Sequence, residues 1–443
     1  MSDEFVTDLL HFVRRLLGGR GEPENLHRLT GGANMESWSF DYGGNGFVLR
    51  RSPSAELMAG RAYGHDVEAA VVRAAFEAGV RAPEVVGEIE PRDNLGTGYL
   101  MRRVDAEVNP TKILANPPPA LLTEFARELA AIHAVPLGKL PTLPVTDAAS
   151  LLDEMKERFF GFGGDRPVMA LAFKWLENHL PTPSEPVLLH GDFRMGNIMA
   201  DATGFATVLD WELAHLGDRH QDLAFGCINS WRFGHIARPA FGVGKLEDYW
   251  LAYAHESGTT VEPERFRWWL VYSTLWWGVC CLQMADIWRR GLDAGLERAV
   301  IGRRASETEV DLLMLLEEDA PADERGPVAV SMQSEAQRLG EPSSTEMLEA
   351  LANWIEADVK ANSQGRDRFM ASVALNALGM LQRETASSVT IQDKALSDDL
   401  LIGRKSLATP GLLAKLKTQS LAKLAADQPK YSALAAATQK WSA

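Results

Sequence analysis

Three polar side chains near the middle of the chain have the types and spacing that phosphoryl-transfer chemistry requires. Asp192 and Asn197 lie on one loop, and Asp210 follows a later apolar run. A carboxylate can accept the proton of a substrate hydroxyl, and amide and carboxylate oxygens are hard ligands for Mg²⁺. The spacing therefore allows a base and two metal ligands to surround one small volume, as transfer from Mg-ATP demands.

Two short strands are the elements that must position these residues. Val187–Leu189 precedes His190 and Asp192, and residues 207–209 precede Asp210. Apolar runs of this length, bounded by glycine and aspartate, are typical of strands in a folded core. We therefore expect the ends of two strands to present the polar residues.

The stretch HGDFRMGNIM, followed by VLDWELAHLGD and QDLAF, resembles the aminoglycoside phosphotransferase-like family, which is related to choline kinases and protein kinases. It is especially similar to the branch linked to acyl-CoA dehydrogenases. The kinase loop H-x-D-x-x-x-x-N corresponds to His190, Asp192 and Asn197, and D-W-E at Asp210 corresponds to D-F-G. The resemblance implies a two-lobed protein-kinase-like α+β fold with ATP and Mg²⁺ as cofactors. It also implies Asp192 as the catalytic base and Asn197 and Asp210 as metal ligands.

A paired glycine, Gly31 with Gly32, precedes a strand-like segment that ends in the turn sequence DYGGNG at residues 41–46. Glycines remove side chains where backbone amides must approach phosphates. In the family that the chain resembles, this hairpin covers ATP, although paired glycines also occur in ordinary turns. The chain has no G-x-x-x-x-G-K-[ST] motif, which argues against a P-loop enzyme.

The next strand, FVLRR, carries Arg50 where kinases place a phosphate-pairing lysine. Arginine stays charged and can hold phosphate oxygens bidentately, so we expect Arg50 to bind ATP; the alternative is a solvated charge at a strand end. The resemblance implies that Glu68, on a helix predicted over residues 67–78, pairs with this cation. A glutamate near a helix N-terminus is also favourable on an ordinary surface.

The segment GYLMRRV at residues 98–104 resembles the hinge between the two kinase lobes. The resemblance implies that backbone groups from Met101 to Val104 bind adenine. Arg103 departs from the acidic residue that is usual at the hinge.

Other polar residues are expected to support the site rather than to react. His133 ends an apolar helix and is expected to be packed or to cap it. Glu212 could lie behind the metal ligands. Asp218 and Asp222 match the family pattern and are expected to hold a loop and a helix by accepting backbone amides.

The composition of the chain limits the cellular location and the classes of binding partner that we expect. The 443 residues have ordinary globular composition and predict two or three domains. A net charge of −15 argues against nucleic-acid binding. The three cysteines are too few for a disulfide framework, and the acidic N-terminus does not resemble a signal peptide. We therefore expect a cytoplasmic protein.

An uncharged, tryptophan-rich tract at residues 268–285 has the length of a membrane span. Polar residues interrupt it and no second span accompanies it, so we expect a buried helix of the larger lobe and no membrane span. In the family, helices of this region line the acceptor pocket, although such a stripe is more often core. A bulky apolar wall suits an acyl-type acceptor better than a polycationic aminoglycoside.

Three functions remain open from the sequence. The first is a small-molecule kinase that phosphorylates an alcohol group, with a hydroxyacyl-type metabolite as the favoured acceptor. The second is an aminoglycoside or macrolide antibiotic phosphotransferase, which uses the same chemistry. The third is a pseudokinase scaffold that binds a protein partner, which the substitution of arginine for lysine at position 50 leaves open.

We predict three regions: a nucleotide-binding lobe at 1–104, a catalytic and acceptor-binding lobe at 105–325, and an all-helical domain at 343–443. An acidic strip at residues 307–324 precedes the last boundary, and the C-terminal stretch from residue 401 is basic. The basic stretch could dock on the acidic strip, bind acyl-CoA phosphates or contact a protein, but a solvated helix face is the favoured interpretation. A protein partner or a homodimer through this domain stays open.

Overall fold

The computed structural model describes residues 3–29, 35–54, 58, 61–293, 295–328, 344–384 and 391–442. The helices are α1 (Asp3–Leu17), α2 (His65–Glu77), α3 (Pro110–Ala115), α4 (Leu121–His133), α5 (Ala148–Gly161), α6 (Pro167–Asn178), α7 (Arg219–Phe225), α8 (Leu246–Ser257), α9 (Pro263–Arg289), α10 (Leu296–Arg303), α11 (Ala305–Leu316), α12 (Ser344–Trp354), α13 (Gly365–Glu384), α14 (Lys394–Leu401), α15 (Leu412–Asp427) and α16 (Ser432–Ser442). The strands are β1 (Glu24–Arg28), β2 (Glu36–Tyr42), β3 (Asn45–Ser52), β4 (Val85–Glu88), β5 (Thr97–Arg102), β6 (Val187–Leu189), β7 (Ile198–Asp201), β8 (Gly204–Val208) and β9 (His215–Gly217).

The N-terminal lobe is an antiparallel sheet of strand order β1-β2-β3-β5-β4. Because side chains alternate along a strand, β3 turns Phe47 and Leu49 toward the apolar face of α1 and Arg50 toward α2. Arg51 faces α1, as expected from this alternation. It is half-buried, because it pairs with Glu36 and lies over the ring of Phe5.

The larger lobe is mainly helical and carries two small antiparallel pairs, β6 with β9 and β7 with β8. The strand predicted at Val187–Leu189 is present as β6. The strand predicted at residues 207–209 is β8, which ends one residue earlier, at Val208, and begins at Gly204. The loops after β6 and β8 carry Asp192 and Asp210.

The tryptophan-rich tract lies within the long helix α9, where it packs into the core of the larger lobe. Trp268 and Trp269 are buried, and their indole N–H groups donate to the Leu176 carbonyl and to Asp218. Within the described residues, no helix is long and apolar enough to cross a membrane.

The C-terminal helices pack against the larger lobe rather than presenting a solvated face. Lys417 on α15 is fully buried, and its Nζ lies 2.8 Å from Glu317 Oε2. Trp441 on α16 donates to the same carboxylate at 2.7 Å, and Lys440 pairs with it. Several acidic residues of the strip are themselves buried, including Glu307 and Asp311. The interpretation of this face as solvated therefore fails for Lys417 and Lys440, which dock on Glu317 of the strip, whereas Arg404, Lys415 and Lys430 are exposed.

Candidate functional site

His190 joins the two loops that carry the candidate catalytic residues. Its Nδ1 accepts the backbone N–H of Asp192 at 3.2 Å, so Nε2 carries the proton and donates to the Leu209 carbonyl at 3.1 Å. Burial lowers the pKa of His190 to about 4, so the ring is neutral at pH 7. This histidine fixes Asp192 relative to the start of the next loop and is itself unsuited to proton transfer at neutral pH.

Asp222 holds the same loop from behind. Its carboxylate accepts the backbone N–H groups of His190 at 2.6 Å and Gly191 at 2.8 Å. His133 lies 3.5 Å from it and contacts the hydroxyl of Tyr253 at 2.7 Å. Burial alone would raise the pKa of Asp222. The hydrogen bond and charge of His133, the charge of His190 and the backbone N–H of Gly191 outweigh burial, so the pKa is lowered.

Asp218 caps the next helix, α7. It accepts the backbone N–H of His220 at 3.0 Å and the guanidinium Nε of Arg265 at 2.6 Å. Burial opposes ionisation, but these bonds hold its pKa well below the usual range. Asp218, Asp222 and His133 thus occupy the supporting positions that the sequence predicts.

Asp192 is buried but keeps polar partners on both oxygens. Asn197 Nδ2 donates to Oδ2 at 2.5 Å, and Arg194 Nε donates to Oδ1 at 2.7 Å. Burial raises the pKa of Asp192 to about 6, and the charge of Arg194 limits the rise. A carboxylate with a pKa near neutrality can accept and later release a proton at physiological pH.

Sequence reasoning missed Arg194 and Trp231. The Arg194 guanidinium lies over the Trp231 ring, 4.4 Å from its centroid, while bonding Asp192. Arg194 lies within the motif, two residues after Asp192, so its closeness to the base could have been predicted from the sequence. Trp231 comes from a short turn after α7, and no sequence pattern links it to the loop.

Arg50 bridges the two lobes. Its Nε lies 3.2 Å from Glu68 Oε1, and its Nη2 lies 2.6 Å from both Asp210 Oδ1 and Glu212 Oε2. Arg61, which the sequence reasoning did not single out, pairs with Glu212 at 2.9 Å. Burial would lower the pKa of Arg50, but Glu68 and Asp210 raise it, so the cation is permanent. The pairing with Glu68 that the resemblance implies is present, and Arg50 also reaches the Asp210 loop.

Two side chains provide oxygens suited to Mg²⁺. Asn197 uses its Nδ2 to bond Asp192, which turns its amide oxygen away from that carboxylate. Asp210 adopts the left-handed conformation, with φ of 67°, and about a third of its side chain is exposed. The Leu209 N–H donates to the Asn197 carbonyl at 2.7 Å, which ties the two loops together.

This donor set fits Mg²⁺, which usually takes one or two protein ligands and completes its shell with phosphate oxygens and water. Among the described residues, no group of three or more His, Cys, Asp or Glu side chains could hold a metal. Asn197 and Asp210 would therefore supply part of a Mg²⁺ coordination shell, and phosphate oxygens and water would supply the rest.

The remaining predicted nucleotide contacts are the paired glycines and the hinge segment. Gly31 and Gly32 lie outside the described residues. Met101 is on β5, paired with Val48 of β3 and Val85 of β4, and Val104 follows the strand as a half-buried residue. The backbone N–H of Arg103 donates a hydrogen bond to the Gly46 carbonyl at 3.0 Å.

The second half of α9 lies beside the catalytic loop. Trp277 packs on Trp231 with ring centroids 4.7 Å apart. Burial raises the pKa of the Cys280 thiol, and the nearby charge of Asp192 also raises it, whereas Arg158 lowers it. Arg158 of α5 bonds Gln283 at 2.7 Å. An aromatic wall with nearby arginines thus borders the candidate base.

Comparison with known proteins identifies the matching family. Residues 25–258 match the model of the phosphotransferase enzyme family. Acyl-CoA dehydrogenase family member 10 of Mus musculus is 28% identical over 245 residues, 49% of this chain and 21% of that protein. Family member 11 of Gallus gallus is 29% identical over 213 residues, covering 45% of this chain and 27% of that protein. The matched segment therefore spans only about a quarter or less of these relatives.

Two solved structures share the fold. A putative aminoglycoside phosphotransferase from Ralstonia eutropha JMP134 aligns with a TM-score of 0.55 and 20% identity, covering 70% of this chain and 98% of that chain. Aminoglycoside phosphotransferase APH(4)-Ia, in a ternary complex with AMP-PNP and hygromycin B, aligns with a TM-score of 0.50 and 17% identity, covering 71% and 100%. These likenesses confirm the predicted two-lobed kinase-like α+β fold, to which the C-terminal helices are appended.

Proposed function

This chain belongs to the phosphotransferase enzyme family, and from that premise we propose that it transfers the γ-phosphoryl group of ATP to the hydroxyl of a small molecule. One observation carries the proposal: Asp192 and Asn197 are hydrogen-bonded to each other, and a backbone bond ties their loop to the one bearing Asp210. A base and hard oxygen ligands are thus held together, as this reaction requires.

In this proposal Asp192 is the catalytic residue. Its carboxylate accepts the proton of the acceptor hydroxyl as the oxygen attacks the γ-phosphorus and the bond to the leaving ADP breaks. Arg194 keeps the carboxylate oriented through Oδ1, and Asn197 orients Oδ2. Catalysis then rests mainly on positioning and charge stabilisation.

In this proposal Asn197 and Asp210 would hold Mg²⁺, which would supply positive charge to neutralise the ATP phosphates. Arg50, braced by Glu68, exchanges its contact with Asp210 for phosphate oxygens, which its fork of donors suits. In this proposal adenine binds backbone groups between Met101 and Val104 other than the N–H groups of Arg102 and Arg103, which donate to the Glu84 and Gly46 carbonyls, and the segment with Gly31 and Gly32 covers the phosphates. Support for nucleotide binding comes from the fold shared with a protein solved with AMP-PNP.

The acceptor in this proposal is a hydroxyacyl-type metabolite. The half-buried Trp277, which packs on the buried Trp231, suits contact with an apolar chain, and Arg158 and Arg194 suit an acceptor that carries negative charge. The same arginines disfavour a polycationic aminoglycoside. The names of the acyl-CoA dehydrogenase relatives point in the same direction.

The proposal includes a cytoplasmic location, which the three unpaired cysteines support. It does not require a protein partner, because the described residues already assemble the base and the metal ligands in one chain.

Thermal-shift titration with ATP, with and without Mg²⁺, tests the nucleotide site on the wild type and on Asp210→Ala. A ligand that binds only the folded state raises the melting temperature. We expect a Mg²⁺-dependent rise in the wild type that the variant loses. No rise at millimolar ATP would favour the pseudokinase scaffold.

A panel of acceptors then identifies the substrate class. Hydroxyacyl-CoAs are compared with aminoglycosides and macrolides by following ADP release and product mass. We expect turnover with hydroxyacyl compounds; turnover with the antibiotics alone would establish the alternative function.

A further inference from the structure

The turn that supports Arg194 is fastened from outside by the C-terminal helical region. The turn spans Asn229–Trp231, and on its inner side the Trp231 ring carries the Arg194 guanidinium that bonds Asp192. Trp231 is buried and packs between Phe225 and Trp277. The Trp231 ring therefore helps to position Arg194, together with the bonds of the guanidinium to Asp192 and to the Met195 carbonyl.

The outer side of the same turn contacts Asp311 of α11, Tyr431 between α15 and α16, and Ser432 at the start of α16. Tyr431 donates to Asp311 Oδ2 at 2.6 Å, and Ser230 lies 3.3 Å from the same phenol oxygen. Asn229 Nδ2 donates to Asp311 Oδ1 at 3.0 Å, and Ser432 donates to Asn229 Oδ1 at 3.3 Å. Asp311, Asn229 and Ser230 are buried, so these bonds are shielded from water.

We propose that Tyr431 is a positioning residue for the catalytic centre: by locking the turn at residues 229–231 it holds Trp231 under Arg194, and so orients Asp192. The inference rests on the proposed function in assigning Asp192 as the base. It gives the C-terminal helical region a role in the site through the described contacts of Tyr431 and Ser432 with the turn.

The path is short and made of discrete contacts. From Tyr431 it passes through Ser230 to the adjacent Trp231, then through Arg194 to Asp192, with 3.3 Å, 4.4 Å and 2.7 Å at the three non-covalent steps. A packed interior transmits such displacements because it has few voids to absorb them. Misplacing a catalytic group slightly is enough to slow a reaction that depends on orientation.

Tyr431→Phe tests this inference, because it removes one hydroxyl and keeps the ring. Glu384→Gln is the matched control: it weakens contacts of the same C-terminal region with Arg303 but does not touch the turn. Measurements are made at pH 8, above the pKa of Asp311, which burial raises to about 7, so that its carboxylate accepts both bonds.

The first readout needs no turnover. The side-chain Nε–H of Arg194, assigned by its absence from the spectrum of Arg194→Lys, should be protected from hydrogen exchange in the wild type and in Glu384→Gln. We expect Tyr431→Phe to exchange at least about tenfold faster. Unchanged protection in Tyr431→Phe overturns the inference, whether or not the protein transfers phosphate.

The second readout is kinetic. We expect Tyr431→Phe to lower kcat about tenfold with little change in the Kd for Mg-ATP, and Glu384→Gln to leave kcat unchanged. Combined with Arg194→Lys, Tyr431→Phe should add no further loss, because both act through the same contact. If the losses of kcat from Tyr431→Phe and Arg194→Lys add in the double variant, the positioning role is overturned. It is also overturned if kcat falls in proportion to the loss of thermal stability in both Tyr431→Phe and Glu384→Gln. Absence of transfer in the wild type counts against the proposed function alone, because the exchange measurement still decides the inference.

Discussion

Two groups of carboxylates come from the same short stretch of chain and are held in opposite ways. Asp210 and Glu212 face side-chain cations, and each has about 30% of its side chain exposed. Asp218 and Asp222 face backbone amides and are almost wholly buried. The first group is held by side-chain cations that can move, whereas each carboxylate of the second accepts at least one backbone N–H, with Asp218 also accepting from the Arg265 and Trp269 side chains.

The difference separates residues that can change partners from residues that cannot. A guanidinium on a side chain such as that of Arg50 can turn from a carboxylate to a phosphate at the cost of a rotamer change. A backbone N–H cannot leave Asp222 unless the loop itself unfolds. Asp192 lies between the two groups, buried like the second but bonded by side chains like the first.

The largest expected effect follows from removing the charge of Asp192 while keeping its shape. Asp192→Asn should lower kcat by roughly 10²- to 10⁴-fold, the usual worth of a general base. The Kd for Mg-ATP, measured by calorimetry, should change little, because the proposed phosphate contacts lie elsewhere. Full activity would remove Asp192 from the mechanism.

The same replacement at Asp222 should act on stability instead. Asp222→Asn presents an amide to backbone N–H groups that need an acceptor, and should lower the free energy of unfolding by about 3 kcal/mol. Because the folded pKa of Asp222 is lowered, the wild-type advantage exists above the ordinary value of 3.8 and shrinks as the pH falls below it.

Denaturant titrations across pH check this prediction. Asp201→Asn is the control, since its carboxylate bonds an exposed turn and should change stability by less than about 0.5 kcal/mol. Equal effects of the two variants would contradict the division between the two groups of carboxylates.

The intermediate character of Asp192 should appear in the pH profile. With a pKa of about 6, its carboxyl is increasingly protonated below that pH and cannot accept a proton, so kcat/KM should fall about tenfold per pH unit. Removing the neighbouring cation in Arg194→Met should move this limb to higher pH. If the fall of kcat/KM at low pH matched a fall in Mg-ATP affinity measured in parallel, the titrating group would belong to the nucleotide site instead.

The smallest expected effect tests whether Arg50 depends on its fork of donors. Arg50→Lys keeps the charge but cannot bond Glu68 and the Asp210 loop through separate nitrogens, so we expect about fivefold weaker Mg-ATP binding. Arg51→Lys, on the opposite face of β3, should bind Mg-ATP like the wild type. Equal affinities for both variants would indicate that a single positive charge is sufficient at position 50.

Much of the arrangement follows from local sequence. The spacing of His190, Asp192 and Asn197 fixes them on one loop, since few residues separate them. Alternation along β3 assigns Arg50 and Arg51 to opposite faces. The kinase-like fold follows from several such elements in order, as the comparisons confirm.

The candidate reacting groups and the elements that carry them could be predicted from the residues alone. Only the tertiary structure decided their partners: Glu212 on Arg50, Trp231 under Arg194, and the tail lysine Lys417 buried on Glu317. The reason is how far apart the contacting residues lie along the sequence. Periodicity and motif spacing describe contacts between residues near in sequence, whereas these pairs are brought together by the packing of elements far apart along the chain.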